Sequence, residues 1–254
     1  MGWKIVAHSL ALLFRNFGNA LKVSVAPLLV ALFLGWLAFR VTGASPQMIA
    51  FGIAMGRIAP QAAVAISIVL IVFLFASAWI AVAWHRFILL EEYPGLVPQM
   101  PGSRIAAYVG RSIVLALLLL IVIFPASAVV GQLLVISGLS QLSAAQLLVS
   151  YGLAVLFSYV WLRVAIVLPA TAVGRPYTLS QGWNDGARLS GEIFNASAIV
   201  VALNMVATMI LNLLPLGIVP GLIAQVVVTW VTMMTGSSLL TTLYGHLAEG
   251  RRLP

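Results

Sequence analysis

The sequence has 254 residues, of which 63% are hydrophobic and only 7% are charged, and its mean hydropathy is +1.14. A soluble domain carries about 25% charged residues, so a soluble fold of this composition would expose apolar surface that it could not cover. The net charge is +8, but the basic residues are scattered between apolar runs, which argues against a nucleic-acid surface. The lack of cysteine excludes disulfides, thiol catalysis and iron–sulfur clusters. We therefore expect one integral membrane domain, residues 1–254.

The first 22 residues predict an amphipathic helix that precedes the first membrane span. Apolar side chains recur at helical spacing between Trp3 and Leu21, while Lys4, Arg15 and Lys22 cluster towards the opposite side. A basic polar face without acids suits a helix that lies in the headgroup layer of an anionic membrane. The alternative is a helix that faces water and packs on other protein.

Six apolar runs are long enough to cross the roughly 30 Å of hydrocarbon in a bilayer. They cover approximately residues 23–39, 61–84, 112–136, 144–168, 193–214 and 222–245. A helix satisfies its backbone hydrogen bonds within its own segment, as a lipid environment requires. The sequence therefore predicts an all-α, polytopic bundle of about six spans.

Short helices are predicted between the spans. Ser45 and Pro46 are typical of an N-cap and a first helical residue in the loop after span one. Residues 101–111 and 178–190 predict two further surface helices, each just before a hairpin of two spans. Together with residues 1–22, they suggest a threefold repeat of a surface helix followed by a hairpin.

The distribution of basic residues predicts the orientation of the bundle. Eleven of the thirteen lysines and arginines fall on one side, and only Arg40 and Arg57 fall on the other. Because loops rich in basic residues stay in the cytoplasm, we expect both termini there. A bacterial inner membrane is the expected location.

Six basic residues are candidates for contact with anionic lipid headgroups, because each lies on a predicted surface helix or at the end of a span on the basic side. They are Lys4, Arg15, Lys22, Arg86, Arg104 and Arg111. Arg86 belongs to the densest charge cluster of the chain, together with Glu91 and Glu92. Such a cluster is also typical of the end of a membrane span that has no binding role, where the arginine reaches to the interface.

A polar seam is predicted between spans five and six. Its members recur at helical spacing: Asn204, Thr208 and Asn212 in span five, and Gln225, Thr229 and Thr232 in span six. Amide and hydroxyl side chains hydrogen-bond neighbouring helices to each other, which is the favoured interpretation. A solute path or a lipid groove along the same seam is the alternative.

Residues suited to catalysis are few. All five acids lie in loops or at the ends of spans, whereas ion-coupled carriers usually need an ionisable group within the bilayer. His85 and His246 end spans two and six, so a ligand pair for haem or a pigment is conceivable, although two interfacial histidines are the simpler interpretation. We expect no enzymatic activity, no cofactor and no metal site.

Three segments carry a resemblance to a known family: Ser9–Leu21 (SLALLFRNFGNAL), Arg163–Ala172 (RVAIVLPATA) and Pro176–Arg188 (PYTLSQGWNDGAR). They resemble uncharacterised bacterial six-helix inner-membrane proteins, which are related to the membrane region of glycerophosphodiester phosphodiesterases. The resemblance implies a six-helix architecture and a bacterial setting. It carries over no catalytic residue.

These features favour a non-enzymatic membrane scaffold or accessory subunit. Its expected partners are anionic lipids and a larger membrane-protein complex, and no nucleic acid is expected. The first alternative is a small-solute transporter or a lipid-handling protein that uses the polar seam. A weaker alternative is a pigment- or haem-binding subunit.

Overall fold

The computed structural model describes residues 2–252, apart from the side chains of Ile218 and Val219. Within that range the chain is helical and has no strands, which confirms the predicted all-α fold. The helices are α1 (Gly2–Arg15), α2 (Phe17–Thr42), α3 (Pro46–Ala54), α4 (Pro60–Leu90), α5 (Gly102–Ile136), α6 (Ser143–Val164), α7 (Val167–Val173), α8 (Leu179–Ala187), α9 (Ser190–Leu213) and α10 (Ile218–Glu249). One 3-10 turn, Leu139–Gln141, joins α5 to α6.

Six helical segments are long and apolar enough to cross a membrane, so the chain is a multi-pass membrane protein. They are Phe17–Thr42, Pro60–Leu90, Gly102–Ile136, Ser143–Val173, Ser190–Leu213 and Pro220–Glu249. Each overlaps one predicted span, and most extend beyond it. The predicted bounds followed apolar composition, whereas a helix continues for as long as its backbone hydrogen bonds do.

The prediction of one helix over residues 1–22 is wrong, because the chain breaks at Asn16. The Asn16 side chain donates to the Leu12 carbonyl at 2.9 Å, which is the carbonyl that the Asn16 backbone N–H would use in a regular helix. That N–H donates instead to the Leu13 carbonyl at 3.2 Å. Residues 17–22 therefore belong to α2, and the first span is longer than the predicted 23–39.

The predicted helix at Ser45–Pro46 is confirmed, since the Ser45 hydroxyl accepts from the Met48 N–H at 3.1 Å at the start of α3. The predicted surface helix at 178–190 is present as α8, with a capping box between Thr178 and Gln181. The predicted surface helix at 101–111 is not a separate element, because α5 runs through it without a break. A surface helix therefore precedes only the first and third hairpins of the proposed repeat.

The fourth span bends where α6 meets α7. Pro169 has no N–H, so the Ala165 carbonyl lacks its usual helical donor four residues ahead. The Leu168 N–H donates to that carbonyl at 2.9 Å instead, which tightens the turn at Ala165 and Ile166. The redirected segment α7 is deeply buried, with Val167, Leu168 and residues 170–172 each at most 4% exposed.

Most of the buried core lies at one end of the bundle, which we call the basic end. It surrounds α7 and joins the last turns of α4, the first turns of α5 and α9, and the second half of α10. Ser9 of α1 and Thr242 of α10 share a hydrogen bond of 3.1 Å, so both described termini lie at this end. In the opposite half, called the open half, large apolar side chains such as Leu32, Phe124 and Leu213 are exposed.

Helix α1 packs against the protein along one face and is exposed along the other. Ile5, Val6 and Leu13 are 0% exposed. A Cβ atom on Gly2 would lie 2.7 Å from the Glu192 carbonyl oxygen, so only glycine allows this approach to α9. Trp3 and Phe14 are more than half exposed. Helix α1 thus packs on the rest of the protein with one apolar face, and its other apolar side chains are exposed and available to contact lipid.

Candidate functional site

Three arginines gather at the C-terminal end of α7. Arg86 donates to the Ala172 carbonyl at 3.1 Å, and Arg111 donates to the Thr171 hydroxyl. Carbonyls at the end of a helix lack partners within it and carry partial negative charge, so cations are stabilised there. Arg86 also makes a two-pronged ion pair with Glu92, at 2.7 and 2.6 Å.

Arg104 completes this group, because its guanidinium lies against Gly174. A Cβ atom on Gly174 would come within 2.6 Å of the Arg104 Nη2 atom. Gly174 also caps α7 with a φ of 77°, a left-handed conformation that favours glycine. Arg86, Arg104 and Arg111 therefore fix the position of α7 within the basic end.

The C-terminal end of α10 is held in the same way. Arg251 donates to the Ile88 and Leu89 carbonyls at 3.3 and 3.0 Å, which satisfies the last turn of α4. Glu249 pairs with Arg251 at 2.7 Å and with Arg175 at 2.8 Å. The chain after α10 is thereby bound to the end of α4.

Lys4, Arg15 and Lys22 differ from the other three candidates for lipid contact. All three side chains are exposed on α1 and the first turn of α2. Arg86 and Arg111 are half-buried and hydrogen-bonded within the chain, and Arg104 packs on Gly174. The structure therefore separates the six candidates into three exposed residues on the N-terminal helices and three residues around α7, of which Arg86 and Arg111 are half-buried and Arg104 is exposed.

Arg163 joins α6 to α8. Its guanidinium lies 3.8 Å from the centre of the Trp183 ring, and its Nε donates to the Trp183 carbonyl at 3.2 Å. A Cβ atom on Gly186 would lie 2.7 Å from the Arg163 Cγ atom, so the glycines that weaken α8 as a helix allow its close approach. Tyr177 donates to Asp185 at 2.7 Å, and burial together with this bond raises the pKa of the Tyr177 phenol.

A fully buried histidine occupies the centre of the basic end. The His85 side chain is 0% exposed; its Nδ1 lies 2.7 Å from the Thr241 hydroxyl, and its Nε2 lies 3.3 Å from the Tyr108 hydroxyl. The Thr241 hydroxyl in turn donates to the Ser237 carbonyl at 2.8 Å. Helices α4, α5 and α10 are thus connected by one chain of hydrogen bonds.

The direction of these hydrogen bonds follows from counting protons. Thr241 gives its only hydroxyl proton to the Ser237 carbonyl, so it accepts from Nδ1–H of His85. A charged imidazole would be costly here, because no acid belongs to the cluster. In the neutral ring Nε2 then carries no proton, and Tyr108 must donate to it.

The two histidines of the suggested ligand pair are each hydrogen-bonded within the chain. Both ring nitrogens of His85 are hydrogen-bonded, while His246 Nδ1 bonds the Arg251 carbonyl at 2.7 Å. Among residues 2–252, no group of three or more histidine, cysteine, aspartate or glutamate side chains could hold a metal ion. The geometry gives the pigment alternative no support.

The predicted polar seam is divided between two faces of α10. Asn204 donates to the Thr232 hydroxyl at 2.7 Å, which joins α9 to α10. Gln225 and Thr229 instead line an apolar cavity of about 400 Å³ between α2, α4 and α10. Thr208 and Asn212 are on the exposed surface of α9. One contact of the seam is therefore present, but the six residues do not line a common path.

A second cavity, of about 340 Å³, lies between α4, α5, the α6–α7 bend and α10. Three serines and one tyrosine that the sequence alone did not connect line this cavity: Ser77, Ser112, Ser237 and Tyr108. Ser77 and Ala81 of α4 stand four residues apart, a spacing typical of close helix contact, but in the structure both line this cavity. No pattern within α4 predicts that Ser77 and Ala81 face residues of α5 and α10.

No protein-family model, curated protein or solved structure matches the chain. The resemblance to the membrane region of glycerophosphodiester phosphodiesterases therefore stays a prediction from sequence.

The direction assigned to the histidine hydrogen bonds predicts the effect of removing one acceptor. Thr241→Val leaves the Nδ1–H of His85 buried without a partner, which costs about 1–3 kcal/mol of stability. Thr208→Val makes the same chemical change on an exposed face of α9 and should cost less than about 0.5 kcal/mol. Thermal unfolding of both variants in the same detergent measures the difference. Equal midpoints would contradict the assignment.

Proposed function

We propose that the protein is a non-enzymatic membrane scaffold or accessory subunit. The observation that supports this most is the division of the bundle into two unlike halves. At the basic end, His85, Arg86 and Arg251 each bind other side chains or backbone carbonyls of the fold. A group that already binds within the fold is not free to act on a substrate, whereas a catalytic group must reach one.

The open half supplies apolar surface for packing in the membrane. Its exposed residues include bulky side chains on four different spans, among them Trp36, Phe73, Phe124 and Leu213. A membrane protein can bury such surface against lipid or against another membrane protein. A fixed basic end combined with a broad apolar surface suits a subunit that organises neighbouring proteins.

The proposed setting is a bacterial inner membrane with both termini in the cytoplasm. The contacts between Arg251 and α4, and between Ser9 and Thr242, bring the termini to the basic end. Basic residues favour the cytoplasmic side, so this end faces inwards in the proposal. The resemblance to bacterial six-helix proteins supports the same location.

The orientation is tested by fusing a reporter to the full-length chain. A reporter at the C-terminus, or inserted near Gly95 in the loop between α4 and α5, should report the cytoplasm. A reporter inserted at Gly56 after α3, or at Ser140 in the turn after α5, should report the outside. A C-terminal reporter that is active only outside would reverse the proposed topology.

Attraction to anionic lipid should depend on the exposed basic residues of α1 and of the first turn of α2. In the full-length protein, replacing Lys4, Arg15 and Lys22 by glutamine should reduce co-purified phosphatidylglycerol several-fold and weaken its dependence on salt, because surface attraction is screened. The control is Arg40→Gln with Arg57→Gln on the other side. Lipid analysis of the purified proteins gives the comparison, and equal retention by all three forms would exclude an electrostatic role for this group.

The scaffold itself is tested by the size and composition of the particle released by mild detergent. We expect native mass spectrometry to find this chain bound to other membrane proteins. Photo-reactive residues at Trp36 and Phe124 in the open half should give discrete adducts, and the same group at Trp84, which is 0% exposed, should not. A particle of one chain with reconstituted solute transport would instead establish the transporter alternative.

A further inference from the structure

The cavity between α4, α5, the α6–α7 bend and α10 combines apolar walls with a cluster of hydroxyl groups. Its volume of about 340 Å³ falls within the range of small-molecule sites, and it is open on one side. Leu74, Trp161 and Leu168 form much of its apolar wall. None of its lining residues is charged, so the site suits a neutral ligand.

The hydroxyls of this cavity are not fully used within the fold. The Ser77 Oγ atom is buried and has no hydrogen-bond partner among the described residues. Tyr108 and Ser237 also line the cavity and are 7% and 8% exposed. A polar atom left without a partner in an apolar environment is costly, so a polar group that bonds Ser77 would stabilise the site.

The hydrogen bonds of His85 restrict what Tyr108 can offer to a ligand. Tyr108 gives its only proton to the Nε2 atom of His85, because Nδ1 of the neutral ring carries the proton that bonds Thr241. Its oxygen keeps a lone pair, so Tyr108 can accept from a ligand but cannot donate to it. A ligand that presents only a carbonyl or an ether oxygen would leave this acceptor without a partner.

We propose that this cavity binds the hydroxyl end of a neutral lipid. The hydroxyl donates to the Tyr108 oxygen and accepts from a serine such as Ser77, while the hydrocarbon part leaves through the open side. A diacylglycerol and a polyprenol share this chemistry. The inference goes beyond the proposed scaffold role and does not depend on it, because it concerns a site inside one chain.

The test compares lipids that differ only at the hydroxyl. Full-length protein is incubated in detergent with 1,2-dioleoylglycerol or with its 3-O-methyl ether, and bound lipid is counted by native mass spectrometry. We expect about tenfold weaker binding of the ether, because it cannot donate to Tyr108 and tenfold corresponds to about 1.4 kcal/mol. A polyprenol tested beside the diacylglycerol shows which class of neutral lipid fits better.

Two variants test the location of the site. A Cβ atom on Gly236, which lines the cavity, would meet no atom within 4 Å, so Gly236→Leu should fold and fill the space. Gly152→Leu is its matched control, since that position on α6 is equally free but outside the cavity. Binding of dioleoylglycerol should fall at least tenfold in Gly236→Leu and stay unchanged in Gly152→Leu.

Tyr108→Phe should abolish the preference for the alcohol over the ether, because it removes the acceptor. Tyr151→Phe is the control, since Tyr151 donates to the Ala198 carbonyl at 3.0 Å away from the cavity. Three results would overturn the proposal: equal binding of alcohol and ether to the natural protein, undiminished binding in Gly236→Leu, or no retained neutral lipid at all. If Tyr108→Phe fails to fold, the Gly236→Leu result and the comparison of the two lipids still test whether the cavity binds the lipid hydroxyl.

Discussion

The bend before α7 is the constraint on which the rest of the basic end depends. Because Pro169 cannot donate a backbone hydrogen bond, the fourth span turns at Ala165 and Ile166 and sends seven residues, Val167–Val173, into the middle of the bundle. At its C-terminal end, Arg86 donates to the Ala172 carbonyl and Arg111 donates to the Thr171 hydroxyl. Through these contacts α4, α5 and α7 are held as one packed unit.

The same packed region accommodates three buried polar side chains that hydrogen-bond one another. His85, Tyr108 and Thr241 lie in the packed region, and each bonds another member of the group or a backbone carbonyl. Buried polar groups are stable when their partners are complete, and a complete network also fixes one relative position of its helices. The open half exposes mainly apolar side chains, which is the physical basis for assigning protein contacts to that half. The lipid site is assigned to the cavity beside Tyr108 because the Ser77 hydroxyl there has no hydrogen-bond partner among the described residues.

Composition and periodicity predicted the number of membrane helices because both properties are local. Each apolar run must form a helix in lipid whatever its neighbours do, so six runs became six spans. The N-cap at Ser45 and the start of α8 at Thr178 were also predictable, since a capping side chain bonds an N–H only three residues away. The break at Asn16 depends on one side chain replacing one backbone bond, and no average over a window of residues reveals it.

The sequence by itself determined that the chain is a multi-pass helical membrane protein and that most of its basic residues belong to one side. Only the tertiary structure decided which basic residues are free: Lys4, Arg15 and Lys22 are exposed, whereas Arg86 and Arg111 bind α7. It also showed that Thr232 faces α9, where it bonds Asn204, whereas Gln225 and Thr229 line a cavity on another face of α10. The physical reason is distance along the chain, because residues as far apart as Ser77 and Ser237 meet only after the helices have packed.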